Sequence, residues 1–524
     1  MNKKLCLIRA PYLYKYANLD IAEEPILTYL MGYLKSIGFE KFYLFDFHLV
    51  RDTKLEDLLI EGITDYVIAV RETGENVHYV KRLCKNLSQE TDSNIYVYGH
   101  VARLKKMSGW PDNVKFIHQS EIALAKEIGL DTNGATFGNG LTADPYFHTF
   151  SFSSSTAKRA KAALETTRGC HFPCSFCFIN QGKNYDKRWS VRPNEDVLAD
   201  IGYYYALGIR SYVFYDSEFI GKNHEDYPQK KELLKEIIKN YPGIKYKIYC
   251  RADTLMAFNE FALLKESGLI QVFVGAESLD QSDLDALNKN LSVEVTLKCI
   301  DELKAHDIYA NLSFITFNRN TTISTLETNL EKITSLLIEK PRLIGVPGFT
   351  FAFESNWRPD KNKKAEQPAK KNLLSGKTYV LHDLKQKEQP EDAEVFSAEL
   401  EALMEIYRLL AYEWNKKLTI LNYARDKSSA EQLEQINSWF EGLSAFCLKT
   451  MKKYLFAFKA NELNLDTLAF HSEKLFEEIA DYYKVLPSHL QELETYTSHA
   501  KTMSYEQKSE RVEDDEYWLN NIPA

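Results

Sequence analysis

The sequence predicts an α/β protein: an N-terminal doubly wound, Rossmann-like parallel sheet, a partial (β/α)6 TIM-type barrel, and an α-helical C-terminal region. Three observations predict it. Short runs rich in β-branched and aromatic residues alternate with amphipathic helical patterns over residues 1–130. A second series of the same kind occupies residues 161–355, and from 396 to 524 the pattern is helical. Between these units lie a Gly-, Ser- and Thr-rich connector (131–160) and a polar, lysine-rich excursion (356–395). A chain of 524 residues is too long for one core, which agrees with several domains.

In the first unit, KLCLIRA (4–10), FYLFDF (42–47), YVIAV (66–70), NIYVYG (94–99) and VKFI (114–117) read as strands. Helical patterns at 24–38, 77–87 and 120–129 separate them. Ligands of such sheets sit outside the carboxyl ends of the strands, here near Ala10, Asp46–His48, Arg71–Glu72 and Gly99–His100. In the second unit the strands are AALETTR (162–168), SYVFYD (211–216), KYKIYCR (245–251), IQVFVGAE (270–277), ANLSFIT (310–316) and LIGVPGFT (343–350). Helices at 195–208, 230–241, 259–268, 295–307 and 324–340 alternate with them. Six such units suggest a barrel, whose chemistry belongs at the carboxyl ends of its strands.

The net charge of −9 and pI of about 5.9 give no basic footprint, so nucleic acid is not an expected partner. No apolar run approaches the roughly 20 residues a membrane span needs, and Arg9 and Tyr12 interrupt the N-terminal apolar run, so a cytoplasmic location is expected. In a reducing compartment clustered thiols suggest metal or redox chemistry rather than disulfides. Cys170, Cys174 and Cys177 crowd the stretch TTRGCHFPCSFCFIN, while the remaining five of eight cysteines are scattered and suit simple packing. Zinc would want a fourth ligand. His171 is too close to Cys170 to be an easy one, and Cys250 could in principle complete a closed site. A cubane iron–sulfur cluster on three thiolates instead leaves one iron open for a small molecule.

Cys170-x-x-x-Cys174-x-Phe176-Cys177, on a loop after the first strand of a βα barrel, resembles the radical S-adenosylmethionine (SAM) superfamily over roughly residues 160–355. The resemblance implies a 4Fe–4S cluster on the three cysteines, SAM chelated at the open iron, and reductive cleavage of SAM to methionine and a 5′-deoxyadenosyl radical. It implies that Phe176 and Phe178 support the cluster and the adenine. In YDSEF (215–219), Asp216 or Glu218 is the candidate acceptor for the SAM ammonium, although the family's usual glycine pair is missing. GAES (275–278) resembles the family's G-x-E-S turn, which makes Glu277 and Ser278 candidates beside SAM. Arg251 could meet the SAM carboxylate, or equally pair with Asp253 or Glu277. FAFES (351–355) is a weaker candidate for facing substrate.

A doubly wound domain before such a barrel resembles the cobalamin-binding branch of the superfamily. The resemblance implies a cobalamin cofactor, with methyl transfer to an unactivated carbon as the leading reaction and cyclisation or rearrangement as the alternative. A non-catalytic iron–sulfur or zinc protein is the reading from another class. The cobalt-ligating motif D-x-H-x-x-G is degraded here: Asp46 and His48 are present, but Arg51 replaces the glycine. Gly99 stands where the branch keeps a glycine near the nucleotide tail. The family also implies an external one-electron donor of flavodoxin or ferredoxin type. Small-molecule, peptide and lipid substrates all remain open. The C-terminal helices are expected to close the mouth, with Tyr407, Tyr412, Trp414, Trp439 and Phe440 as aromatics of core or pocket.

Overall fold

A computed structural model describes residues 3–9, 21–47, 55–70, 77–101, 104–106, 109–146, 160–177, 179, 189–221, 224–317, 321–339, 344–351, 400, 402–403, 406–407, 409–410 and 430–483. The first sheet comprises β1 (Leu5–Arg9), β3 (Phe42–Asp46), β4 (Asp65–Val70), β5 (Asn94–Gly99) and β6 (Val114–His118); β2 (Ile21–Ala22) belongs elsewhere. All pairings are parallel, in the order β3-β1-β4-β5-β6, which is the doubly wound pattern. The middle strands β1 and β4 are buried along their whole length because helices cover both faces of the sheet. Gly99 ends β5 at φ +123°, and an added Cβ would stand 2.2 Å from the Val70 carbonyl oxygen. Backbone geometry therefore accounts for that glycine without a ligand.

The second sheet holds the six expected barrel strands in sequence: β7 (Ala160–Leu164), β10 (Ser211–Phe214), β11 (Lys245–Cys250), β12 (Leu269–Glu277), β13 (Tyr309–Phe317) and β14 (Ile344–Phe351). Its first edge is extended by β2, parallel to β7, so a short strand from the N-terminal unit continues the barrel wall. The expected strand 162–168 is broken in two. β7 stops at Leu164, and Thr167–Gly169 (β8) pairs antiparallel with Trp189–Val191 (β9). The expected helix at 259–268 is the shorter Phe261–Glu266, and a further short helix, Ala252–Phe258, precedes it and ends at Asn259 in the left-handed conformation (φ +51°).

The connector from 131 is packed rather than loose as far as it is described. Tyr146 is fully buried, and its hydroxyl donates to Asp46 at 2.8 Å. Leu141 is buried as well, and Gly32 lies so close to the Thr142 carbonyl oxygen that an added Cβ would approach it to 2.1 Å. Helix Ala430–Lys459 packs along helix Ile323–Glu339, and Tyr407 packs on Phe317 at the end of β13 while donating to the Met451 carbonyl. Tyr407 is thus core; Tyr412 and Trp414, and the side chains of Trp439 and Phe440, lie outside the described residues. Among the described residues no helix is long and apolar enough to cross a membrane.

The two units meet around Arg192, which is 1% exposed. Its guanidinium pairs with Asp200 at 2.9 Å and donates to the Tyr29 hydroxyl (2.9 Å) and to the carbonyls of Glu165 (2.9 Å) and Leu141 (2.8 Å). One side chain thereby joins the first unit's helix, the connector, the end of β7 and a barrel helix. Replacing Arg192 by Met strands Asp200 as a buried charge, and removing one partner of a buried pair costs about 3–5 kcal/mol. Urea unfolding of metal-free protein should show a loss of that order for R192M; a loss under about 1 kcal/mol would mean that water reaches the pair.

Candidate functional site

The break after β7 aims the cysteine loop. Thr166 and Thr167 donate both backbone N–H groups and both hydroxyls to Oδ1 of Asp216, at 2.8 Å from Thr166 N and 2.7 Å from each hydroxyl. Lys230 donates to the Thr166 hydroxyl at 2.7 Å from beneath, and burial lowers its pKa to about 8. Burial raises the Asp216 carboxyl, while Lys230 and the two threonine hydroxyls oppose that rise. Asp216 is therefore the clasp that holds the start of the loop through Oδ1, while its buried Oδ2 has no hydrogen-bond partner among the described residues.

After β8 and Gly169 (φ +88°) come the cysteines. Cys170 and Cys174 are buried and Cys177 half-buried, in one small apolar cluster with Phe172, Phe176 and Ile179. The loop docks on a neighbouring turn: Ser175 donates its N–H (3.2 Å) and hydroxyl (2.9 Å) to the Leu287 carbonyl, and Asn288 donates its amide to the Pro173 carbonyl (2.9 Å). Asn288 and Asn290 take left-handed conformations (φ +49° and +50°) on either side of Lys289. That lysine is buried, 2.9 Å from Oε1 of Glu277 and 5.6 Å from the centre of the Phe176 ring. Glu277 ends β12 at φ +63° beside a register shift, and the Ser313 hydroxyl donates to its other oxygen at 3.2 Å. A carboxylate, an ammonium, a hydroxyl and an aromatic ring thus lie together beside the thiols.

The other candidates face different partners. Glu218 is buried, accepting from the Cys250 thiol (2.8 Å), the Thr254 hydroxyl (3.0 Å) and the Arg251 N–H (2.9 Å). Burial raises its pKa to about 7, and these donors hold it from rising further. Arg251 forks onto Asp253, with Nε and Nη2 each 2.9 Å from a carboxylate oxygen. Of its possible acid partners Asp253 is the one engaged, since Glu277 is held by Lys289. The Ser278 hydroxyl lies within reach of two acceptors, on Asp283 (3.1 Å) and Asn329 (3.0 Å), with one proton to share between them, and accepts the Asp280 N–H, so it is tied into a helix-starting turn. Phe178, His48 and residues 352–355 lie outside the described residues. Asp46 is taken up by Arg9 (3.1 Å) and Tyr146, so the degraded cobalt-ligand motif does not present a spare carboxylate.

The donor set suits an iron–sulfur cluster better than closed zinc. The His171 ring packs on Trp189 at 4.4 Å, with its Nε2 3.9 Å from Asp226, and the Cys250 thiol is bound to Glu218 and Thr254. Neither is a fourth ligand. Among the described residues no three His, Cys, Asp or Glu side chains converge closely enough to grip a single metal ion, so the thiols share a pocket without forming a ready-made cage. Burial pushes the Cys170 thiol up to about 12, with Glu218 and the two other thiols adding to the effect. Such a thiol stays protonated at neutral pH until a metal replaces its proton.

Residues 164–333 match the domain of the Radical SAM superfamily. The domain implies a 4Fe–4S cluster and SAM. The anaerobic magnesium-protoporphyrin IX monomethyl ester cyclase of Rubrivivax gelatinosus is 30% identical over 167 residues, 30% of this chain and 28% of that protein. The hopanoid C-3 methylase of Methylococcus capsulatus is 25% identical over 155 residues, 29% of this chain and 28% of that protein. The chain thus matches little more than a quarter of either relative. The solved cobalamin-dependent SAM radical enzyme OxsB, with aqua-cobalamin and SAM bound, shares the fold across 100% of this chain and 84% of its own (TM-score 0.61, 12% identity).

Sequence reasoning missed Lys289 and the Thr166–Thr167 pair. The one local signal for Lys289 is its setting between two asparagines, residues that tolerate left-handed backbone.

Two expectations follow from the buried carboxyls. The folded chain holds the Glu218 proton up to about 7 against an ordinary 4.5. The unfolded chain then binds fewer protons across that window, so stability falls as pH rises through it, by at most about 3 kcal/mol. Unfolding midpoints of metal-free protein between pH 5 and 8 should show that slope, and E218Q should flatten it; equal slopes would place Glu218 in contact with water. Asp216→Ala frees four donors at the root of the loop and should cut iron uptake on reconstitution several-fold, read by iron analysis against the wild type.

Proposed function

We propose that this chain is a cobalamin-dependent radical SAM enzyme that transfers a methyl group to an unactivated carbon. The observation that carries the reading is the placement of Cys170, Cys174 and Cys177 on a clamped loop at the carboxyl end of the first barrel strand, with His171 and Cys250 engaged elsewhere. A 4Fe–4S cluster with one open iron supplies one-electron reduction of the SAM sulfonium, and cobalamin, when bound, supplies the methyl carrier.

The chain's own residues bind, orient and exclude water. The three thiolates hold the cluster, and Phe172, Phe176 and Ile179 keep water from it. Glu277 and Lys289 suit the methionine end of SAM, an acceptor for its ammonium and a donor for its carboxylate. Phe176, beneath Lys289, gives that end an apolar wall. Asp216, Thr166 and Thr167 keep the loop in register with the barrel. The domain boundaries at 130, 160, 355 and 395 read from the sequence are retained as part of this proposal.

Cobalamin would lie outside the carboxyl edge of the first sheet, the place where doubly wound sheets take ligands. The stacked rings of His100 and His118 mark that edge. Support for the cofactor is the fold shared with OxsB, and support for methyl transfer is the methylase among the relatives. The relative named as a cyclase favours a second reading, in which the same radical leads to ring closure or rearrangement. The electron donor would be a flavodoxin- or ferredoxin-type protein. The substrate would be a small molecule, peptide or lipid.

Anaerobic reconstitution with iron, sulfide and hydroxocobalamin tests this. About four irons per chain and 5′-deoxyadenosine released from SAM after reduction are expected, both lost in Cys174→Ala. Stoichiometric zinc without SAM cleavage would overturn the radical reading. Iron uptake and SAM cleavage without retained cobalamin would replace methyl transfer by the rearrangement reading.

A further inference from the structure

Arg251 follows the last residue of β11 and precedes helix Ala252–Phe258. Its guanidinium is held on three sides. The fork onto Asp253 takes Nε and Nη2, at 2.9 Å each, and Nη2 also donates to the Lys289 carbonyl at 2.8 Å. The central carbon of the group lies over the Phe172 ring, 3.9 Å from its centre. The remaining prong, Nη1, is 3.5 Å from Sγ of Cys174. Arg251 is 5% exposed, so its charge is weakly screened by solvent. A guanidinium fixed in this way has its forked edge committed to Asp253 and cannot also clamp a ligand carboxylate bidentately.

We propose that Arg251 sets the reduction potential of the cluster by donating Nη1–H to the Cys174 sulfur. The proposal rests on the reading of the three cysteines as cluster ligands. Reduction adds an electron to a centre that already carries thiolate charge. A buried cation and an N–H donor at one of those sulfurs stabilise the reduced form more than the oxidised one, and so raise the potential. Asp253 orients the donor by holding the other edge of the fork, and Phe172 keeps water from competing for the sulfur. Because Nη2 also binds the carbonyl of Lys289, the group that tunes the cluster is joined to the turn carrying the proposed SAM contact.

The test uses full-length reconstituted protein, wild type, R251Q and R251K, with iron content and the cluster's midpoint potential followed by the EPR signal of the reduced state. R251Q is expected to take up iron like the wild type and to titrate at a more negative potential. At one fixed applied potential its reduced-to-oxidised ratio should be about tenfold lower, which for one electron is about 59 mV. R251K should shift in the same direction by less, since the charge remains but the fork that aims the donor is lost. A loaded R251Q cluster with wild-type potential overturns the proposal. If R251Q fails to load, R251K decides: a negative shift supports the proposal, and an unchanged potential overturns it. A wild-type chain that assembles no cluster removes the underlying reading and this proposal with it, and iron analysis distinguishes that failure from an unshifted potential.

Discussion

The structure depends on how the four residues between β7 and the cysteine loop are held. Glu165, Thr166, Thr167 and Arg168 carry no regular pairing with β10, yet each is fixed. The Glu165 carbonyl accepts from Arg192, the two threonines converge on Asp216, and Arg168 makes a bidentate contact with Glu121 at 2.9 Å and pairs with Glu165 at 2.9 Å. The partners come from both units: Glu121 lies on a helix of the first, Asp216 at the end of a barrel strand. The same four residues thus aim the thiol loop and lock the two sheets together. Buried charges of this kind are costly to desolvate and contribute only when fully paired, and here the pairing is dense. Arg168 also lies over the Phe137 ring at 3.9 Å, so the connector helps to shield it.

That arrangement constrains how the first unit can serve the barrel. Its carboxyl edge is tied to the barrel by polar contacts through Arg9, Asp46, Tyr146, Glu23 and Tyr204. A ligand on this edge would sit against a fixed frame rather than between two domains free to hinge. Burial, with His100 and Arg168 close by, lowers the His118 pKa to about 3, so the imidazole is neutral at physiological pH. The edge of the first sheet therefore presents the neutral His118 imidazole, stacked on the His100 ring, beside a fully paired arginine.

The strands were legible because a parallel sheet covered on both faces writes itself as short continuous apolar runs; β5, read as 94–99, has those ends in the structure. Where the reading failed, a local pattern had been overruled by distant partners. AALETTR looks like one strand, yet Asp216 draws the backbone N–H groups of Thr166 and Thr167 away from the sheet. The Gly- and Ser-rich stretch reads as a connector without periodicity, and in the structure Tyr146 and Leu141 bury themselves in the junction. Composition shows that a segment lacks periodicity; it does not show that nothing packs on it.

The sequence by itself determined the class of chemistry. Three thiols spaced four and three apart after a strand mark a candidate ligand loop, and that information is contained within eight consecutive residues. It did not determine which carboxylate or cation serves the loop, because those choices are made by pairs far apart in the chain. Asp216 meets Thr166 across 50 positions, Glu218 meets Cys250 across 32, and Arg251 meets Cys174 across 77. Asp216 and Glu218 lie two residues apart on one strand end, equally acidic on paper. The tertiary structure gives the first to backbone donors and the second to a thiol and a helix start, because a buried carboxyl is set by the donors within hydrogen-bonding reach and those donors arrive only with the fold.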